Sequence, residues 1–288
     1  MENSHIKHLS FLLLATLFIS TSGVLGKYID LSPEAIIFCR ASIAAVFIFM
    51  YCKIKKINLK VNYKKDGFSF LVSGFFMAAH WVTYFYALKL SNVAIGMLSM
   101  YTFPVITALL EPFFSKQKLN SIHVFLAFLV LFGVYLLVPD FSLENDQLKG
   151  ILFGIFSALC FSLRNLTLKK HVKNYNGSML MMYQMVIVSV FLIPVLFISD
   201  FSNLESQIPL LLLIALLTTA IGHTMFVSSL KHFSVSTSSI ISSIQPIFGI
   251  IIAYIFVNEI PSFNTYIGGS LILLTVIIES VRSKKASK

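Results

Sequence analysis

A chain of 288 residues that is 57% hydrophobic and only 12% charged, with a mean hydropathy of +0.86, falls far outside the soluble range of about half apolar and a quarter charged. Composition therefore excludes a soluble enzyme or binding domain, and the polar stretches are too short to hold one beside the apolar runs. The net charge of +10, which in a soluble protein would point to nucleic acid, has to be explained by where the cations sit along a membrane chain.

A spanning helix needs about twenty predominantly apolar residues. Ten such stretches are predicted, over 9–27, 34–52, 67–88, 93–115, 121–139, 150–168, 178–198, 208–230, 236–257 and 264–281. The alternating pattern of a barrel strand is absent, and hydrocarbon forces the backbone to satisfy itself, so the expected fold is an all-α membrane protein with ten transmembrane helices. The first stretch follows Lys7 but is too long for a signal-peptide h-region and lacks a clean small-x-small cleavage site, so it is expected to remain as the first span.

The second span carries Arg40 about six residues from its outer edge, roughly 9 Å deep at 1.5 Å per residue. Arg40 reads either as a clamp on helix ends or as a contact for an anion or carboxylate. The basic loop 53–65 follows and reads as a topology signal and anionic-lipid contact. The third span holds the richest polar cluster, His80, Trp81, Thr83, Tyr84 and Tyr86, with His80 and Tyr84 on one helix face.

The fourth span brings Ser99, Tyr101 and Thr102 beside Pro104, whose ring frees a carbonyl and predicts a deformable point. Seven residues on, Glu111 reads either as a titrating group in a proton-coupled cycle or as an interfacial ion pair near Lys116 and Lys118. In the sixth span Gly150, Gly154 and Ala158 form a small-residue face that Arg164, about 240° further round than Ala158, need not share, so Arg164-Asn165 near the inner end reads either as a structural interfacial pair or as a cavity or inner-gate group. Gln184, in the seventh, occupies the place related to Arg40, so that charge is not duplicated. The eighth and ninth spans supply Gly222, His223, Thr224, Ser242, Ser243 and Gln245, the last beside Pro246. The cysteines Cys39, Cys52 and Cys160 have no metal spacing and read as apolar packing.

With ten spans and the N-terminus inside, most of the 22 lysines and arginines fall on one face, from Lys7 through the 53–65 loop, Lys116, Lys118 and 169–173 to Arg282, Lys284, Lys285 and Lys288. The opposite face keeps Lys27, Lys89 and Lys149 among eight acids that include Asp30, Glu144 and Glu259. Such a bias is what the positive-inside rule demands, and it puts both termini in the cytoplasm of a multi-pass protein of the cell membrane.

The two halves repeat. Sliding the chain by 142 positions lays Leu88-Lys89 on Leu230-Lys231, Val93 on Val235, Pro104 on Pro246 and Phe114 on Phe256. Five spans is an odd number, so a repeated unit must sit upside down, and the expected organisation is one five-helix repeat over 1–140 and an inverted second over 141–288.

With Arg40 early in span two, Ala87-Leu88-Lys89 closing span three, and Pro104 and Pro246 in spans four and nine, the last followed by Asn258-Glu259, the chain resembles the EamA-type members of the drug/metabolite transporter superfamily. It departs from that pattern at Gln117, where the family usually places an acid. The resemblance implies a ten-helix bundle around a central cavity and a function in moving amino acids or other small metabolites, commonly outward. His80, Trp81, Tyr84, Tyr101, His223 and Gln245, with Arg164 and Asn165 near the inner end of the sixth span, are the candidate substrate contacts, since aromatic faces with a few hydroxyls and amides suit an amphipathic organic solute. Pro104 and Pro246 are the candidate hinges, and Arg40 and Glu111 the candidate coupling or structural charges.

The expected function is thus a secondary-active transporter working by alternating access, with a passive channel or a lipid-handling protein of the same architecture as the alternative. No enzyme motif is present: His-Glu-x-x-His, Gly-x-Ser-x-Gly, a phosphate-cradling glycine loop and paired carboxylates are all missing. No cofactor is expected, and the expected partners are a small solute, membrane lipids and, in a coupled cycle, protons.

Overall fold

The computed structural model of the protein describes residues 2–115, 121–137, 142, 144–233, 235–242 and 244–286. The expectations placed on Lys116, Gln117, Lys118, Pro139, Asp140, Ser243 and Lys288 lie outside these, as do the side chains of Arg282, Lys284 and Lys285. The regular elements among the described residues are all helices, joined by short turns and loops, and no strand occurs among them.

Helix α1 (Glu2–Tyr28) is followed by α2 (Pro33–Ile54), which starts with the Ser32 hydroxyl accepting the Ala35 N–H and Pro33 in its first turn. Helix α3 (Tyr63–Leu90) starts on Asn62, and α4 (Val93–Met100) on Asn92, whose side chain accepts the Ile95 N–H at 2.8 Å. Then come α5 (Phe103–Ser115), α6 (Ser121–Leu137) and α7 (Asp146–Lys169), the last capped by Asn145. Asn176 caps α8 (Gly177–Phe191), and a turn through Pro194 leads to the short α9 (Val195–Ile198). Helix α10 (Leu204–Leu213) runs without interruption into a π-helix (Ile214–His223) and then α11 (Thr224–Ser229). Helices α12 (Val235–Ser242), α13 (Gln245–Val257) and α14 (Phe263–Ala286) complete the chain.

Among the described residues seven helices are long and apolar enough to cross a membrane: Lys7–Tyr28, Pro33–Ile54, Tyr63–Leu90, Val93–Phe114, Asp146–Lys169, Gly177–Ile198 and Leu204–Ser229. The predicted fifth and ninth spans appear as the shorter apolar helices Val124–Leu137 and Gln245–Val257. Bulky side chains such as Phe68, Phe113 and Phe197, each at least 80% exposed, cover the outside, as suits a lipid-facing surface.

Four predicted spans are not the single α-helices that their apolar length suggests. The fourth breaks at Tyr101–Thr102, just before Pro104, because proline offers no N–H to the preceding turn and restricts the residue before it. At the break the Ser99 carbonyl accepts both the Thr102 N–H at 3.4 Å and the Thr102 hydroxyl at 2.9 Å. The ninth divides before Pro246 in the same way, and the seventh ends its main helix ahead of Pro194. The π-helical stretch in the eighth had no signal in hydropathy, which reads composition and not hydrogen-bond register.

Packing follows the repeat. Helix α7 lies along α3, α4 and α5, and its counterpart α1 lies along the π-helix, α11, α12 and α13, so the first helix of each half is clasped by the third and fourth of the other. The small face of α7 makes this possible: a Cβ on Gly150 would stand 2.9 Å from the Ser91 Cβ, and one on Gly154 would collide with Ser99. Helices α6 and α14 pair at the side of the bundle over Gly133 and Gly268, where a Cβ on Gly133 would lie 2.9 Å from the Gly268 carbonyl oxygen.

Candidate functional site

A small cavity of about 30 Å³ lies between the two halves, lined by residues of α1, α3, the α4–α5 break, α7, the π-helix, α11, α12 and α13. Its lining carries the repeat residue by residue. Ile19 and Phe161, Trp81 and His223, Tyr84 and Phe226, Met100 and Ser242, and Phe103 and Gln245 all line it, and each pair is separated by 142 positions. Most of the wall is therefore built from mates of the duplication.

Within this wall His80 is fixed by α7. The Ser157 hydroxyl donates to the His80 carbonyl at 2.9 Å, so its oxygen is left to accept from His80 Nδ1 at 2.7 Å. That network assigns the proton to Nδ1 and leaves Nε2 as a lone-pair acceptor. The ring lies against Phe161 at 4.6 Å between centroids. Trp81 and its mate His223 meet edge to face at 5.2 Å, and His223 Nδ1 is buried with no hydrogen-bond partner.

The two proline-bearing breaks meet across the cavity. Tyr101, in the first break, donates its hydroxyl to Gln245 Oε1 and lies 2.9 Å from the Ser242 carbonyl, the two residues flanking the second break. Pro104 and Pro246 are both buried beside this contact. The candidate hinges and the candidate contacts Tyr101 and Gln245 thus form one cross-half unit.

Two guanidiniums stand behind the aromatic wall. Arg40, fully buried, donates from Nε to the Thr219 hydroxyl at 2.6 Å and from Nη1 to the Ser22 hydroxyl at 3.1 Å. Its Cζ lies 4.0 Å from the centroid of the Trp81 ring, and Nη2 has no partner. Arg164, also fully buried, donates to Gln184 Oε1 from Nε at 3.1 Å and also from Nη2, and from Nη1 to Asn165 Oδ1 at 2.8 Å. Arg164 and Asn165 are not in the cavity lining; they form part of the shell behind Phe161.

The sequence comparison of Arg40 with Gln184 suggested a lost charge. The geometry shows a transposed one. Ser22 and Arg164 are 142 positions apart, and in each half this position bonds to the second helix, Ser22 with Arg40 and Arg164 with Gln184. The guanidinium thus sits on the second-helix member of the pair in the first half, Arg40, and on the first-helix member in the second, Arg164.

Glu111 is half-buried on α5, is engaged by neighbouring groups and lies within electrostatic reach of Lys169, away from the cavity. Ser242, noted beside Pro246 in the sequence, lines the cavity too, while Ile19, Ser22, Met100, Phe103, Phe161 and Phe226 line it and were not singled out from the sequence. For most of them the signal was available: each except Ser22 is the repeat mate, 142 positions away, of another lining residue.

Glu259, from the segment after α13, accepts the Val93 N–H at 2.8 Å and so caps the start of α4, apart from the cavity lining. Among the described residues no group of three or more His, Cys, Asp or Glu side chains could hold a metal.

The profile of the EamA-like transporter family matches residues 6–138 and again 148–281. An uncharacterized transporter of Bacillus subtilis, YxxF, is 24% identical over 265 residues, 90% of this chain and 85% of that protein. The pseudopaline exporter CntI of Pseudomonas aeruginosa is 22% identical over 282 residues, covering 96% of this chain and 97% of its own. A crystal structure at 16% identity superposes with a TM-score of 0.71 over 98% of this chain and 99% of that one, a likeness of fold.

Proposed function

The chain belongs to the EamA-like transporter family, and from that premise we propose that it is a secondary-active carrier moving a small organic metabolite across the cytoplasmic membrane by alternating access. The observation that carries this reading is the cavity: it is walled by repeat mates of both halves, yet at about 30 Å³ it has room for a water or two and none for an organic solute. Such a cavity must enlarge to work, and two halves rocking about their shared axis enlarge it toward one side at a time.

In this reading the halves are 1–140 and 141–288, each crosses five times, the second is inverted, and both termini face the cytoplasm. Twin contacts at opposite ends of the repeat support the inversion. Lys27 donates to the carbonyls of Leu88 and Ser91, and Lys169, 142 positions on, donates to those of Leu230 and Phe233, which are their mates. Charge sidedness puts Lys27 outside and Lys169 inside. The breaks ahead of Pro104 and Pro246 are the deformable points, and the Tyr101–Gln245 bond holds them together when the cavity is closed. An amino acid or a related solute moving outward fits the aromatic and amide lining, and one relative of comparable length is named an exporter.

Counterflow in proteoliposomes tests the proposal. Vesicles loaded with unlabelled solute should accelerate entry of the labelled solute in a saturable manner, with amino acids screened first. Solute flux that is neither saturable nor trans-stimulated would assign the fold to a passive channel instead. Flux indifferent to an imposed pH gradient would take the proton, and Glu111 with it, out of the cycle.

A further inference from the structure

We propose that the central cavity is an anion site and that the transported solute presents a carboxylate or equivalent anionic group to Arg40 Nη2. This rests on the carrier reading above. Both guanidiniums are fully buried, and their hydrogen bonds go only to neutral acceptors: the hydroxyls of Thr219 and Ser22 for Arg40, the amides of Gln184 and Asn165 for Arg164. Among the described residues no carboxylate lies within ion-pairing distance of either. Two buried positive charges without a counter-charge are costly in a low-dielectric interior, and guanidinium does not escape by losing its proton. A negative solute removes that cost when it binds.

The two arginines differ in what remains free. All three guanidinium nitrogens of Arg164 have partners, so it contributes field without contact. A helix clamp alone would explain Nε and Nη1 of Arg40, which join α2 to the π-helix and α1. It does not explain Nη2, buried and unpartnered on a guanidinium that stands just behind the lining, its Cζ over the Trp81 ring and its Nη1 on Ser22, both of which line the cavity. His80, held as a neutral acceptor by Ser157, and the unpaired Nδ1 of His223 add no negative charge. The wall therefore attracts anions and repels cations, and its aromatic faces accept the apolar part of the solute.

Trp81 is the one tryptophan of the sequence, so intrinsic fluorescence reports this wall directly. The experiment compares collisional quenching of the full chain in zwitterionic nanodiscs by iodide, neutral acrylamide and caesium at constant ionic strength. Acrylamide should quench, because the cavity opens during the cycle. Iodide should exceed caesium by about fivefold or more, and the ratio should fall below about twofold in R40Q and to an intermediate value in R164Q. R40K, which keeps the charge, should preserve the preference, and it separates lost charge from a misfolded R40Q.

Quenching by acrylamide with iodide no better than caesium would overturn the anion site and leave the carrier reading standing. An iodide preference unchanged in R40Q and R164Q would do the same. No quenching even by acrylamide would mean that the cavity never opens, and both readings would fall.

Discussion

Replacing Lys27 and Lys169 by methionine, singly and together, tests whether the duplication governs energetics as well as shape. The Lys27 ammonium donates to the Leu88 carbonyl at 3.0 Å and to that of Ser91 at 3.2 Å; Lys169 reaches Leu230 at 2.6 Å and Phe233 at 2.7 Å. Each lysine thereby serves carbonyls at the end of the third helix of its half, where the helix dipole also favours a cation. A hydrogen bond from a charged donor is worth about 1.5–3 kcal/mol, and two per lysine would give more, but both side chains are partly solvated and screening reduces the sum. We expect a loss of about 2–4 kcal/mol for each variant, since methionine keeps the apolar stem and leaves the carbonyls unserved. The assay is equilibrium unfolding in mixed micelles of mild and denaturing detergent. The double variant should lose the sum of the single losses to within about 0.5 kcal/mol, because the two sites share no partner. A full loss at one lysine with under about 0.5 kcal/mol at the other would refute the equivalence.

Tyr101→Phe removes the hydroxyl that joins the two breaks and leaves Gln245 Oε1 without that donor, at about 1–3 kcal/mol against the closed arrangement. Hydrogen exchange over residues 242–249 should quicken by roughly fivefold to a hundredfold, and unchanged exchange would dismiss the bond as a latch. Gly133→Ala sets a methyl 2.9 Å from the Gly268 carbonyl oxygen and should cost about 1–3 kcal/mol by prising α6 from α14; a neutral result in the same unfolding assay would show the pairing to be loose. Burial, reinforced by Lys170 and opposed by Asp66, holds the His171 imidazole below its ordinary 6.5 in the loop after α7. The unfolded chain therefore binds this proton first, so stability is full above 6.5 and falls as the pH drops through 6.5 toward the lowered value. The loss of melting temperature between pH 7.5 and 5.5 should shrink in H171N, and an equal loss in both proteins would contradict the assignment.

How much of this was legible in advance depends on which interaction carried the information. Helix content, the places of most loops and the duplication follow from hydropathy and from punctuation such as Pro104 and Pro246, because lipid forces every apolar run of sufficient length into a helix. His80, Trp81, Tyr84, Tyr101, His223 and Gln245 could be picked out as polar or aromatic groups at mid-span on repeat-related helices, and all six line the cavity. What escaped depends on register and on pairs distant in sequence. The π-helix shifts the hydrogen-bond ladder over Ile214–His223 without changing composition. Phe161 and Phe226 look like ordinary apolar residues until their mates Ile19 and Tyr84 are placed on the same wall. Arg164 belongs with Gln184 twenty residues away, and helical periodicity within one span cannot reveal that partner.

The cavity's shape is nearly symmetric while its chemistry is not, and that difference bears on how a solute can lie in it. Two identical halves would offer every solute two poses related by the axis. Here Phe103 faces Gln245 as its mate, Met100 faces Ser242, and Trp81 faces His223, so the first half supplies sulfur and aromatic faces where the second supplies amide, hydroxyl and imidazole. Among the described residues, the buried guanidinium nitrogen without a partner also belongs to the first half, on Arg40 behind Trp81. A solute with one charged end and one polar end then has a single favourable orientation, its anionic group toward Arg40 and its hydrogen-bonding groups toward Ser242 and Gln245. Rocking that preserves the wall while breaking the Tyr101–Gln245 bond would expose the Gln245 amide and the Tyr101 hydroxyl together, and a solute able to satisfy both would stabilise the opened form against reclosure. The transposition of charge between Ser22–Arg40 and Arg164–Gln184 has the same consequence at the level of the field: it keeps the total positive charge of two duplicated halves but leaves the free donor on one side only.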